Sequence, residues 1–412
     1  MSQTPPYTPV CEVSSATFED TKSSSSTSMS CLGTDSITVD TTNVSTTGTT
    51  EPYYNSPTSP SSQKFDSSQV LTNILDTRPQ IPKHYIGVPK TPSSTKSLTP
   101  YKLKSKSLED FVLSSTVFEI KLDSLLGKGS NSYVHLATLS TRETKNMAMQ
   151  FAIKIPTAKN KVKLIEKETE FLLLLRDYRD NTWYRKYGDK PFPFVDAYGL
   201  YYLDKTQFPM LKKTDLLPCL LLKNSDTDLF RFINERRELT NAYEPAIGLK
   251  NWFCLFNFLL DVLQVLRDLE AVHCDIKTDN ILVENLSISE PAFKLIDFTS
   301  SAKIVDIHEQ PEMTLQFTAP ELLKDQNKIP DFSTDLYSSG LVLLHAATGS
   351  APYHGYDYDP YYLITLVKEG KVLELLTREE LNRMTGNSQV QEILNLILVK
   401  RCTLEELLPL HS

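Results

Sequence analysis

Residues 273–280 read His-Cys-Asp-Ile-Lys-Thr-Asp-Asn, inside LEAVHCDIKTDNILVEN (269–285). An acid, Asp275, is followed two places on by Lys277 and three further by Asn280. The stretch leaves a long apolar segment, WFCLFNFLLDVLQVLRDLEAV, which is apolar on nearly all sides and reads as a buried helix. It then enters ILVEN, which reads as a strand. By itself such a stretch is equally a helix cap or a solvated turn, so its surroundings decide the reading.

Seventeen residues after Asn280, KLIDFTS ends a strand at Asp297, a hard oxygen ligand suited to Mg²⁺ on nucleotide phosphates. Then TLQFTAPELL places Thr314 seven residues before Glu321, and DLYSSG opens another buried helix with Asp335 and Gly340. Upstream, LLGKGSNSYV gives Gly127-x-Gly129-x-x-Ser132-x-Val134 between two strands. A glycine-rich strand turn lets backbone amides approach phosphates without Cβ obstruction, and Ser132 is small enough to keep that approach.

Twenty residues beyond Val134, FAIK sets Lys154 on a strand, sharing a face with Ala152. A lysine turned inward there must find an anion, a nucleotide phosphate or a helix glutamate. The helix KLIEKETEFLLLLRDY offers Glu166, Glu168 and Glu170. Glu168 has apolar neighbours on both sides at helical spacing (Leu164, Ile165, Phe171, Leu172) and is favoured, with Glu166 as the alternative. In this setting Asp275 can orient and deprotonate a hydroxyl, Lys277 can stabilise a transferring phosphoryl group, and Asn280 can offer a neutral oxygen to a metal. Each motif alone has a bland explanation. Their order and spacing together do not.

The set resembles the protein kinases, over residues 113–412. The resemblance implies an α+β, bilobal fold with a small antiparallel β-rich lobe carrying one helix (113–222). A hinge near 222–226 (Leu222 to Ser225) leads to a larger helical lobe (227–412). It implies ATP and Mg²⁺ as cofactors and protein substrates as partners. Leu126, Val134 and Ala152 would enclose the adenine. Gly127, Gly129, Ser132, Lys154 and Glu168 would hold phosphates, and Asn280 and Asp297 the metal. Asp275, Lys277, Asn280 and Thr314 would be catalytic, and Arg401 would pair with Glu321. Lys277 with Thr314 resembles the serine/threonine branch, and HCDIKTDNILV, DFTS and DLYSSGLVLL are similar to a fungal member of it.

Two departures stand out. Cys274 occupies a position where many kinases carry an arginine that holds an activation-segment phosphate, so activity is expected without phosphorylation between Thr299 and Thr318. Thr299 replaces the glycine after Phe298, which restricts the backbone flip that glycine allows. No expected polar residue is missing, which favours an active enzyme over a nucleotide-binding pseudokinase scaffold. The APE segment and Lys277 disfavour a small-molecule kinase.

Before residue 113 the composition changes. Ser, Thr and Pro dominate residues 1–112, which cannot bury enough apolar surface to offset ordering and read as a disordered tail. Six Ser/Thr-Pro dipeptides there, at Thr4, Thr8, Ser56, Ser59, Thr91 and Thr99, suggest proline-directed kinases as partners. The net charge of −8 and the absence of a basic aromatic face argue against nucleic acid. The six scattered cysteines suit free thiols in a reducing compartment better than disulfides or zinc. No leader pattern opens the sequence, and uninterrupted apolar runs such as FLLLL are too short to span a bilayer. The expected location is intracellular, in cytoplasm or nucleus, without membrane insertion.

Overall fold

The alternation Phe118, Ile120 inward and Glu119, Lys121 outward makes FEIKL a half-buried strand, the start of β1 (Phe118–Lys128). The computed structural model describes residues 111–410 other than 114, 116, 142–148, 205–215 and 286–289. The Ser/Thr/Pro-rich segment and its six dipeptides therefore lie outside the described residues.

Strand β1 turns through Gly129–Asn131 into β2 (Ser132–Thr141), followed by β3 (Met149–Pro156). Helix α1 (Val162–Tyr178) buries Ile165, Glu168, Phe171, Leu172 and Leu175, one face at helical spacing. After a π turn at Arg179–Trp183 and the short α2 (Tyr184–Tyr187) come β4 (Ala197–Leu203) and β5 (Leu217–Lys223). The sheet order is β1-β2-β3-β5-β4, antiparallel throughout. Its register sets Gly127 beside Val134 and Val134 beside Lys154, so the glycine turn lies over the lysine.

Phe111 and Val112, which composition assigned to the tail, are packed against this sheet. Val112 bridges Leu200 on the open edge of β4, Leu113 N donates to Leu200 O at 2.7 Å, and Phe111 is buried. Gly199 permits this approach: with φ +152°, a Cβ there would sit 2.6 Å from the Phe111 carbonyl oxygen. Three residues are too few for a periodic signal, so composition alone could not separate them from the tail.

The second lobe begins after β5, through β6 (Thr227–Asp228) and α3 (Leu229–Arg237), whose first turn is capped by Asp228. The long apolar segment forms α4 (Leu249–Asp268). Among the described residues it is the one helix long and apolar enough to cross a membrane by length and composition, beyond what the uninterrupted apolar runs indicated. Ten of its residues are buried within protein, and Trp252 donates to the Leu343 carbonyl at 2.9 Å, so its apolar surface is met by the core.

Short β7 (Ala271–Val272) leads to the turn, and β8 (Ile281–Glu284) and β9 (Ala292–Leu295) form a hairpin beside β6. Strand β9 ends at Leu295, two residues before Asp297, because Asp297 adopts φ +63° and leaves the ladder. β10 (Ala302–Lys303) pairs with β7, and α5 (Pro320–Lys324) follows.

Helix α6 (Phe332–Thr348) runs buried through the lobe, started by an Asp331/Thr334 capping box and stopped by Gly349 at φ +81°. Helices α7 (Pro360–Glu369), α8 (Arg378–Thr385), α9 (Ser388–Leu398) and α10 (Leu404–Leu407) complete it. Arg401, at φ +56°, reaches Glu321 and lies 4.3 Å from the Tyr337 ring centroid, closing the lobe's far side. The architecture is the two-lobed α+β arrangement that the resemblance implied, with α2 added to the smaller lobe.

Candidate active site

Lys154 lies on the inner face of β3, 5% exposed, and its ammonium must find anions there. It meets Glu168 Oε2 at 2.6 Å and Asp297 Oδ1 at 2.8 Å. Of the three helix glutamates, Glu168 faces the lysine because it shares the buried stripe of α1. Glu166 and Glu170 lie off that stripe. Burial alone would lower the lysine's pKa, but the two carboxylates outweigh it and hold the ammonium above its ordinary value. Asp297, half-buried beside Lys154 and the Thr299 hydroxyl, is held well below the usual carboxylate range. Both charges therefore persist across neutral pH.

Thr299 belongs to this cluster, although sequence reading gave it only a steric role. Its hydroxyl donates to Asp297 Oδ1 at 2.6 Å and accepts from Lys154 Nζ at 3.2 Å. Phe298, fully buried, stacks on Phe171 of α1 at 5.4 Å, and its amide donates to Glu168 Oε1 at 3.3 Å.

A second cluster forms around Asp275. Thr314 donates its hydroxyl to Asp275 Oδ1 at 2.7 Å and accepts from Lys277 Nζ at 2.7 Å. Lys277 also reaches Asp275 Oδ2 at 2.8 Å. The Asn280 amide nitrogen donates to Asp275 O at 2.8 Å and Oδ2 at 3.1 Å. With that nitrogen committed, Asn280 Oδ1 is the atom left to serve as a ligand.

His273 joins the two clusters. Its Nε2 lies 3.0 Å from Ile296 O and its Nδ1 accepts from the Asp275 amide at 3.3 Å, a pairing that requires the neutral Nε2–H tautomer. Burial pushes its pKa down in agreement. The preceding turn hangs from buried Asp335, which accepts the His273 and Cys274 amides at 2.6 and 3.0 Å. Cys274 itself sits at φ +69° and packs with Val272 and Ile307, its thiol pushed up by burial. It is one of four free cysteines among the described residues, with Cys219, Cys254 and Cys402.

The glycine turn leaves room for close approach of a ligand. Neither Gly127 nor Gly129 has positive φ. A Cβ on Gly127 would meet nothing within 4 Å, and one on Gly129 would make an ordinary 3.6 Å contact with Ser132 O. The fold does not require either glycine, whereas close approach of a phosphate does. Val134 pairs with Lys154 across β2 and β3, Ala152 lies two residues before Lys154 on β3, and Leu126 precedes Gly127 on β1; Leu126 is exposed and the other two are half-buried. Asp297 and Asn280 supply hard oxygens and few of them, which fits Mg²⁺ bound jointly with phosphates. Strand β5 ends at Lys223, whose amine meets Glu284 of β8 at 2.9 Å across the passage between lobes.

Comparison with known proteins agrees with this geometry. The family described as "Protein kinase domain" matches residues 218–409. The glycine turn and Lys154 precede that match, so their assignment rests on the contacts above. Serine/threonine-protein kinase ISR1 of Saccharomyces cerevisiae is 26% identical over 72% of this chain and 70% of its own length. Its namesake from Eremothecium gossypii is 30% identical over 49% of this chain and 53% of its own, so the chain spans about half of that relative. Human mitogen-activated protein kinase kinase kinase 5 is 32% identical over 23% of the chain and 7% of its own length. Residues 218–409 thus match the protein kinase domain, and the chain is similar to curated serine/threonine-protein kinases.

Proposed function

We propose that the protein transfers the γ-phosphoryl group of Mg-ATP to serine and threonine hydroxyls of other proteins. One observation carries this reading. The Asp275–Lys277–Thr314 cluster and the Lys154–Glu168–Asp297 cluster are both complete and are joined through His273. Asp275 accepts the proton of the attacking hydroxyl, oriented by Thr314 and Asn280. Lys277 stabilises charge on the transferring group, and Lys154, held by Glu168, binds phosphate oxygens. When bound, Mg²⁺ at Asn280 and Asp297 supplies the charge that neutralises those phosphates. Leu126, Val134 and Ala152 enclose the base. Asp275→Asn is expected to retain ATP binding and lose phosphoryl transfer by about 10²–10⁴-fold; unchanged turnover would refute the assignment.

Activity without phosphorylation of the segment after Asp297 is part of the proposal. Where an arginine would require a phosphate, Cys274 packs with Ile307 and Val272 in an apolar cluster. Neutral contacts support the rest of the segment. Ile304 N donates to Glu270 O at 2.9 Å, Gln310 donates to Leu322 O at 2.9 Å and Lys328 O at 2.7 Å, and Ser338 donates to Phe317 O at 2.7 Å. Phosphatase-treated enzyme is expected to keep its activity; loss restored by rephosphorylation of residues 299–318 would contradict this.

A further inference from the structure

Residues 356–362 read Tyr-Asp-Tyr-Asp-Pro-Tyr-Tyr, and no lysine or arginine occurs anywhere in 350–367. This stretch runs from the end of α6 into α7 and turns its rings outward. Tyr358 is 80% exposed, Tyr361 85% and Tyr362 45%. The backbone beneath them is fixed. Asp359 Oδ1 accepts the Tyr361 and Tyr362 amides at 3.0 and 3.1 Å, capping α7. The Tyr362 ring meets Tyr356 edge-on at 5.8 Å. Exposed rings on a braced turn offer large contact area at little ordering cost, as in protein interaction surfaces.

The face adjoins the acceptor side of the active site. Exposed Asp357 accepts from Gln316 Nε2 at 2.9 Å. Gln316 lies two residues after Thr314, whose amide and hydroxyl both donate to Asp275 Oδ1. Two carboxylates among four tyrosines favour a cationic partner, because lysine pairs with the acids and sits over the rings. The chain itself carries such a segment. Residues 94–107, STKSLTPYKLKSKS, hold four lysines (Lys96, Lys102, Lys104 and Lys106), six hydroxyl residues and no acid. They lie outside the described residues.

We propose that the face at Tyr356–Tyr362 docks residues 94–107 of a second copy of this chain and presents their hydroxyls to Asp275 as phosphoryl acceptors. Buried Phe111 and the bridge from Val112 to Leu200 hold the end of the segment on the open edge of β4. Lys104 and Lys106 therefore stay within about 25 Å of the smaller lobe in their own copy. The face lies on the larger lobe, beyond the acceptor turn, so another copy supplies the segment. Thr99 precedes Pro100, and a phosphate there sets about two negative charges among the lysines and opposes docking. The acceptor role rests on the kinase reading above; the docking does not.

The test uses the full chain and a fluorescein-labelled peptide of residues 94–107. Fluorescence anisotropy is expected to show saturable binding, weakened about tenfold when the four lysines are replaced by glutamine or Thr99 is phosphorylated. Tyr358→Ala combined with Tyr361→Ala is expected to weaken it about tenfold, and Asp357→Asn about threefold. Unfolding of these variants is expected within a few degrees of wild type, because the side chains are exposed. With Mg-ATP, the full chain is expected to label residues 94–107 at a rate per molecule proportional to protein concentration. That rate is expected to fall about tenfold in the double tyrosine variant at unchanged KM for Mg-ATP. Equal binding of the glutamine peptide, or wild-type binding by the double variant, would overturn the face. Labelling at a rate per molecule independent of concentration would overturn the second copy. If the double variant fails to fold, the glutamine peptide is decisive alone. If wild type shows no turnover, the kinase reading fails and the acceptor role with it, and peptide binding alone judges the docking face.

Discussion

The Thr299 hydroxyl donates to Asp297 Oδ1 at 2.6 Å while accepting from Lys154 Nζ at 3.2 Å. A residue that entered the argument as a substituted glycine is thus part of the polar centre. Its methyl group and its hydroxyl make separable contributions. Thr299→Val keeps the branch and removes the hydrogen bond, so kcat/KM for Mg-ATP is expected to fall about tenfold to a hundredfold. Thr299→Ser is expected to stay near wild type, and equal kcat/KM in both variants would exclude a role for the hydroxyl.

Gly340 on α6 faces α9 with no room to spare. A Cβ there would lie 2.5 Å from Ile397 Cγ2 and 2.8 Å from Leu398 Cδ2. Gly340→Ala is expected to destabilise the larger lobe by about 1–3 kcal/mol, seen as a lower denaturant midpoint at unchanged slope. Because the clash is with side-chain ends, Ile397→Ala in the same chain is expected to recover part of that loss rather than add to it.

His345 sets a pH dependence of stability. It is buried in α6, its Nδ1 lies 3.2 Å from the Thr278 hydroxyl, and burial lowers its pKa to about 4. The unfolded chain binds this proton at the ordinary histidine pKa, the folded chain only near 4. Between those values the unfolded state holds more protons, so stability is full above the upper value and falls as the solution is acidified towards 4. This residue alone accounts for about 3 kcal/mol over that window. Unfolding measured against pH is expected to show a shallower acid slope in His345→Gln, and parallel curves would show that His345 is not the titrating group.

Much of this site is legible in the sequence for a local reason. Glycine spacing, FAIK, HCDIKTDN and KLIDF each encode a short backbone shape together with the side chain it presents. Glu168 could be favoured over Glu166 because apolar neighbours mark the buried face of α1, a helical property. What escaped notice depends on distant partners. The segment between α1 and β4 has no periodicity of its own, and Trp183, Phe192 and Phe194 join the core only where β9 and α4 meet them. Phe111 joins the sheet because Gly199 leaves space for its carbonyl, a match between segments far apart in sequence. Thr299 read as a steric change because nothing local indicates that its hydroxyl meets both Asp297 and Lys154. The neutral Thr278–His345 contact likewise links two helical regions whose spacing carries no signal.

The most direct measurement incubates purified full-length protein with γ-labelled ATP, Mg²⁺ and a mixed protein substrate, then analyses the labelled amino acids by acid hydrolysis. The account expects phosphoserine and phosphothreonine, dependent on the metal and lost in Lys154→Met and Asp275→Asn. ATP bound without transfer, or label recovered only in free phosphate or small molecules, would contradict it.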